Sequence, residues 1–222
     1  MNRIGFKAFA CLFSALYCCQ SFAAQPQISD EALSTEELRE VQSKMSSRQD
    51  LSVDFVQLRT SALRPTKPSK SSGKALFAKP ARFRWEIEKP LADILLYDGK
   101  SLFSYKPGEK TATRFDAQGD RASEIKEVIN FVLDFDSLLK RYQIVKSLRH
   151  GKDIILTLNP KQDGALSVID INVDSKSFYV RSLKMSFTNK NTSEFQFSNP
   201  APGVSGPSSF SVPASMKVIE GV

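Results

Sequence analysis

Cysteine is confined to the first nineteen residues of this 222-residue chain, at Cys11, Cys18 and Cys19. Beyond them there can be no disulfide framework, no thiolate nucleophile and no cysteine-ligated metal. Histidine is nearly absent too, since His150 stands alone in a His150-Gly151-Lys152 turn. No G-x-S-x-G neighbour offers it a nucleophile, so the nucleophile–base pair of a hydrolase is missing. One histidine without clustered D-x-D spacing excludes the usual metal sites, and no glycine-rich phosphate loop is present. Asp134 and Asp136 are close acids near a helix end, where such residues are ordinarily solvated. The chain therefore reads as a non-enzyme with no cofactor and no catalytic residue. Long apolar runs are scarce as well. That from Ala8 to Cys19 is about a dozen residues, short of the roughly 20 that cross a bilayer.

That run belongs to a leader. Met1 to Lys7 carries Arg3 and Lys7 with no acid, and Ser21-Phe22-Ala23 puts small residues where a signal peptidase cuts. Residues 1–23 are expected to be removed on export, leaving 24–222 as one domain with a sizeable core. A lipidated Cys18 or Cys19 is the competing reading. It needs a small residue just before the cysteine, where Tyr17 and Cys18 stand. The net charge is +7, with basic residues scattered except for Arg59, Arg64, Lys67, Lys70 and Lys74. That cluster is Ser/Pro-rich and is expected to be a solvated loop. Without interleaved aromatics it does not suit nucleic acid, although attraction to an acidic membrane surface or partner is consistent with it.

Two periodicities organise the remainder. Ser34-Thr35-Glu36-Glu37 is a capping box, and Leu38, Val41 and Met45 follow at helical spacing, predicting an amphipathic helix that ends near Arg48. From Leu51 the period becomes two. In Arg82-Phe83-Arg84-Trp85-Glu86-Ile87-Glu88 the apolar side chains share one face and every residue between them is charged, the pattern of a half-buried antiparallel strand. Asp98-Gly99 suits a tight hairpin, and Lys106-Pro107-Gly108 marks the next turn. About eleven strands follow at short intervals, which implies one strongly curved antiparallel sheet. A helical insert interrupts them, with Ile125, Val128, Ile129 and Val132 on one face and Phe135, Leu138 and Leu139 extending the apolar content. This helix and the N-terminal one are the pieces able to cover the open side of the sheet.

Phe55, Phe77, Phe83, Trp85, Phe103 and Tyr105 lie within about fifty residues, mostly on one parity of adjacent strands, with Leu96 among them. A packed core explains any one of them; as a set they suit the lining of a cavity under the helices. Here the sequence becomes specific. Ser72-Gly73-Lys74-Ala75-Leu76-Phe77-Ala78-Lys79-Pro80, then Phe83-Arg84-Trp85, then Asp98-Gly99-Lys100-Ser101-Leu102-Phe103-Ser104-Tyr105-Lys106-Pro107 resembles the LolA family of periplasmic lipoprotein carriers. The helix ahead of the first long strand, the helical insert and the closing Phe210-Ser211-Val212-Pro213 follow the same order.

The resemblance implies a mainly β fold with a helical lid, an incomplete antiparallel β-barrel of about 11 strands covered by an N-terminal helix and an inserted helix. It implies a monomeric carrier with no cofactor, whose partners are acylated lipoproteins, an inner-membrane lipoprotein-releasing transporter and an outer-membrane receptor. Phe55, Phe77, Phe83, Trp85, Leu96 and Phe103 would line the cavity. Ile125, Val128, Ile129 and Val132 would form the lid. In the family an arginine before the proline fastens the lid to helix carbonyls; Lys79 stands there in this chain, with a compact ammonium in place of a planar fork. Lys79 is expected to hold carbonyls of the 123–135 helix. The alternatives are a periplasmic binder of another acylated molecule, such as a glycolipid, and an envelope-stress lipid sensor.

Overall fold

The computed structural model describes residues 30–116, 120–203 and 206–221, with the backbone alone at 120–126 and 207. The expected export leader, residues 1–23, lies outside the described residues. No helix among the described residues is long and apolar enough to cross a membrane.

The eleven expected strands are all present, as β2 (Asp50–Ser61), β3 (Arg64–Ala78), β4 (Arg82–Lys89), β5 (Asp93–Tyr97), β6 (Leu102–Tyr105), β7 (Thr111–Phe115), β8 (Tyr142–His150), β9 (Asp153–Pro160), β10 (Leu166–Asp174), β11 (Val180–Phe187) and β12 (Thr192–Ala201). Two short strands flank them. In the N-terminal segment β1 (Asp30–Ala32) pairs with β8, and near the C-terminal end β13 (Lys217–Glu220) runs parallel to β7. The spatial order is β1-β8-β9-β10-β11-β12-β2-β3-β4-β5-β6-β7-β13, a single sheet that curves without closing. Sequence neighbours pair through hairpins within β2–β7 and within β8–β12; the long-range pair β12–β2 joins these two halves, and the helical insert lies between β7 and β8.

Three helices lie in the concavity of this sheet. The first, α1 (Thr35–Ser46), begins as expected: the Ser34 hydroxyl accepts from the Glu37 N–H at 3.2 Å, and the Glu37 carboxylate accepts from the Ser34 N–H at 2.9 Å. Glu37 also accepts from Arg149 at 2.9 Å, which ties the start of α1 to β8. The insert is two helices where one was expected, α2 (Asp120–Leu133) and α3 (Phe135–Arg141). Asp134 breaks the run because its carboxylate accepts from the Ser137 N–H at 3.2 Å and so caps a new helix.

The basic cluster is not a loop. Arg64, Lys67, Lys70 and Lys74 belong to β3, in register with β2 through Leu58↔Lys70, Arg59↔Ser69 and Ser61↔Arg64. A register shift between the last two pairs accommodates Pro65 and Pro68, as prolines within a ladder require. The side chains of this hairpin end are solvated, as expected; its backbone is paired.

Bonds from the Ser34 backbone and from Arg149 lower Glu37 to a pKa of about 2 from an ordinary 4.5. A depressed carboxyl stabilises the folded chain fully above its unfolded value and loses that contribution as pH falls through its folded value. The stability difference between the native chain and Glu37→Gln, measured by urea midpoints, should therefore be greatest near neutrality and shrink between about pH 4.5 and pH 2. A difference independent of pH would contradict this anchoring of α1.

Candidate functional site

The concave face is built on Trp85. Cross-strand register puts Val53, Ala75, Trp85 and Leu95 in one row, with Phe55, Gly73 and Ile87 in the next. Gly73 and Ala75 are the small residues between β2 and β4, and across them the Phe55 and Trp85 rings meet with centroids 4.0 Å apart. Phe195 meets Trp85 edge-on at 5.7 Å, and Phe77 lies 6.0 Å from it. A side chain at Gly73 is impossible without movement, since a Cβ there would stand 1.8 Å from the Glu86 carbonyl oxygen.

The helices fill the rest of the concavity. Val41 and Met45 of α1, Val128, Ile129, Phe131, Val132 and Leu133 of α2, and Phe135 and Leu138 of α3 are buried in one cluster with Phe55, Phe77, Phe83 and Trp85. Three of the four residues assigned to the lid therefore sit directly in the core. Ile125 belongs to the same helix, where its side chain is outside the described residues.

Leu96 and Phe103 do not join this face. Trp85 pairs with Leu95 and Arg84 with Leu96, while Leu96 pairs with Phe103. Leu96 and Phe103 therefore point to the outer face, in a second cluster with Ile94, Tyr105 and Ala112 under Val212 and Met216. The expectation of a cavity lining is corrected for both. Their apolar surface is covered by the C-terminal segment, and the inner positions of β6 belong to Leu102 and Ser104. Tyr105 is on the outer side as well, where its hydroxyl accepts from Arg84 at 2.8 Å.

Lys79 grips a helix, but a different one. Its ammonium donates to the Ser46 carbonyl at 2.7 Å, the last residue of α1, and not to a carbonyl of the 123–135 segment as expected. The physical reason is proximity: β3 ends beside α1, and the Lys79 N–H already donates to the Gln49 carbonyl at 2.8 Å. The insert is reached indirectly. Asp136 N–H donates to the Ser46 hydroxyl at 3.2 Å, and Gln42 donates to the Asp136 carboxylate at 2.7 Å. Burial raises the Asp134 carboxyl, but bonds from Ser137 and the charges of Lys79 and Lys140 outweigh it and hold the group below the ordinary carboxylate range.

The helices are therefore held unequally. Besides Lys79 and Arg149, α1 has Arg48 just past its end, which donates to the Ser177 and Phe178 carbonyls at 2.7 and 2.9 Å and stacks 4.0 Å over the Tyr179 ring. Among the described side chains of α2, the polar ties are those of Glu127 to Arg141 and Tyr142 at the base of the insert. Its other described contacts with the sheet are apolar. A cleft of about 760 Å³ opens beside that base, between Tyr142, Leu166, Met185 and Phe187, with Lys140, Arg141 and Lys161 at the rim. Met185 and Tyr142 belong to the central core cluster, and Leu166 and Phe187 pack against it, so the cleft meets the margin of the buried face. Burial and the Glu127 charge push the Tyr142 hydroxyl up to about 12, so it is a neutral donor there.

This geometry has known counterparts. Residues 46–212 match the family model described as outer membrane lipoprotein carrier protein LolA. The chain belongs to the LolA family. An outer-membrane lipoprotein carrier protein of Chromobacterium violaceum is 29% identical over 146 residues, which are 65% of this chain and 68% of that protein. One from Legionella pneumophila is 25% identical over 161 residues, 72% of this chain and 70% of its own length. Among solved structures, an uncharacterized conserved protein from Thermus thermophilus superposes with a TM-score of 0.51 at 11% identity, covering 83% of this chain and 97% of that one. That is a likeness of fold alone. A LolA superfamily protein from Nitrosomonas europaea gives 0.44 at 9% identity over 82% and 99%.

Within this LolA-family chain the inner aromatics missed from sequence are Phe131, Phe195 and Phe197. The alternation Phe195-Gln196-Phe197 is visible in the sequence. That it faces Trp85 follows only from the long-range pairing of β12 with β2. Gly73→Ala should destabilise the protein by about 1–3 kcal/mol through overpacking and shift the emission of Trp85, the only tryptophan. Urea unfolding followed by that fluorescence is the check; wild-type stability would contradict the close approach of β3 and β4.

Proposed function

We propose that this protein is a periplasmic carrier, exported by removal of residues 1–23, whose remaining residues 24–222 take up the acyl chains of lipoproteins beneath the helices. It ferries them from the inner to the outer membrane. The observation that carries this reading is the described part of α2: apolar side chains seated on an aromatic sheet face, with polar ties confined to Glu127. Membership of a family described as outer membrane lipoprotein carriers supports it. The carrier receives its cargo from an inner-membrane lipoprotein-releasing transporter, delivers it to an outer-membrane receptor, and catalyses no reaction.

Physical chemistry supports the mechanism. Each methylene removed from water contributes about 0.8 kcal/mol, so a lipoprotein with two or three long chains needs an escort. In the closed form the inner face is occupied by Val128, Ile129 and Val132. Hydrocarbon that displaces them exchanges one apolar contact for another, and the net preference stays small enough for release. Phe55, Phe77, Phe83 and Trp85 form the acyl-binding face, and Lys79 favours the closed form by fixing Ser46 at the junction of α1 and α3.

The test is Lys79→Leu. Loss of a charge-assisted hydrogen bond, about 1.5 kcal/mol at a half-buried site, should weaken the closed form and raise retention of a diacylated lipopeptide roughly tenfold. Trp85 emission reports binding, and transfer to acceptor vesicles reports release. Release at the wild-type rate would overturn the latch. An absence of any response of the native protein to acylated ligands would overturn the carrier reading. Mass spectrometry of copurified ligand separates lipoprotein cargo from another acylated molecule.

A further inference from the structure

The proposed carriage leaves the basic hairpin of β2 and β3 unused, although a built cleft lies along it. This cleft, of about 420 Å³, is lined by Arg59, Arg64 and Lys67 and by hydroxyl and amide side chains, with no carboxylate. Arg64 and Lys67 have no ion-pair partner among the described residues. The wall opposite is the β11–β12 turn, which is clamped to the hairpin: the Asn191 amide oxygen accepts from the Ala62 N–H at 2.9 Å, and the Asn191 N–H donates to the Asn189 amide oxygen at 3.0 Å. An amide whose oxygen is engaged presents its NH2 as a further donor. Beneath lies a buried polar pair, Gln57 donating to the Ser193 hydroxyl at 2.9 Å. A rim of cations and amide donors is what an anion needs, and a basic rim without a carboxylate disfavours a cation.

The cleft also has an apolar neighbour. Phe187 lines it and lines the larger cleft of Tyr142, Leu166 and Met185 as well. Basic donors on one side of a phenylalanine and an apolar floor on the other match an anionic amphiphile. We infer that the β2–β3 cleft binds the phosphodiester headgroup of an anionic glycerophospholipid, and that the protein meets a membrane surface through this end of the sheet. Arg64 and Lys67 supply the charge, Arg59 and the asparagine amides supply donors, and Phe187 marks where the headgroup gives way to the glycerol and chains.

The inference deepens the carrier reading by naming where the protein touches the bilayer, and it is tested without any lipoprotein, so that each can fail separately. The purified chain is sedimented with phosphatidylcholine vesicles containing phosphatidylglycerol, at constant ionic strength. Each cation near an anionic surface is worth about a fivefold change in partition, so Arg64→Gln with Lys67→Gln should weaken binding roughly thirtyfold. Lys100→Gln with Lys217→Gln removes the same charge at exposed positions away from the cleft, in the β5–β6 turn and in the edge strand β13, and should change it less than about threefold. Both double variants should keep the native melting temperature, since all four side chains are solvated. Equal losses in the two variants would overturn the site in favour of general surface charge. Loss of inorganic-phosphate binding in Arg64→Gln with Lys67→Gln while vesicle binding stays unchanged would assign the cleft to a free ion and overturn the lipid assignment, as would equal binding to pure phosphatidylcholine.

Discussion

The inner face of an open sheet cannot stay bare in water, and the burial of that face governs the rest of the molecule. Phe55, Phe77, Phe83, Trp85 and Phe195 are buried on that face, and the described residues contain no cysteine that could stabilise the chain through a disulfide instead. The helices supply the cover. They do so in two ways, because α1 is fixed to the sheet through Arg149, Lys79 and Arg48, while the described part of α2 rests on it through Val128, Ile129 and Val132.

That division gives the carrier reading its energetic sense. Burying a side chain such as valine or isoleucine stabilises by about 1.5–3 kcal/mol, and a methylene by about 0.8. Two to four methylenes thus offset each side chain that α2 withdraws, and an acyl chain has enough of them to compete with the helix. A rigidly strapped α2 would make entry too costly, and an exposed aromatic face would invite aggregation. Fixing α1, and holding the described part of α2 by apolar contact and by Glu127 alone, avoids both.

Much of this was legible in the sequence because it is local. The capping box at Ser34 and Glu37 is made by residues three apart, and the inner positions of β4 follow from the charged residues between Phe83, Trp85 and Ile87. What escaped was non-local or depended on register. Phe103 and Tyr105 alternate as an inner strand would, yet the pairing of Tyr97 with Leu102 turns them outward, and the C-terminal segment that covers them is more than a hundred residues away. Asp134 looked like a solvated acid because its role as a cap depends on backbone geometry. Lys79 was expected to reach the insert. It reaches Ser46 because β3 ends beside α1, which no spacing in the sequence reveals. The Ser/Pro-rich basic stretch read as a loop, since a ladder that absorbs two prolines in a register shift has no simple sequence signature.

The central claim is that α2 and hydrocarbon compete for one surface, and amide hydrogen exchange tests it most directly. The native protein is compared with and without a saturating diacylated lipopeptide, its binding verified by Trp85 emission. The account requires the amides of residues 127–133 to exchange faster in the loaded protein while those of Ile169, Ile171 and Val173 in β10 keep their protection. Bound ligand with the α2 amides equally or better protected would contradict it.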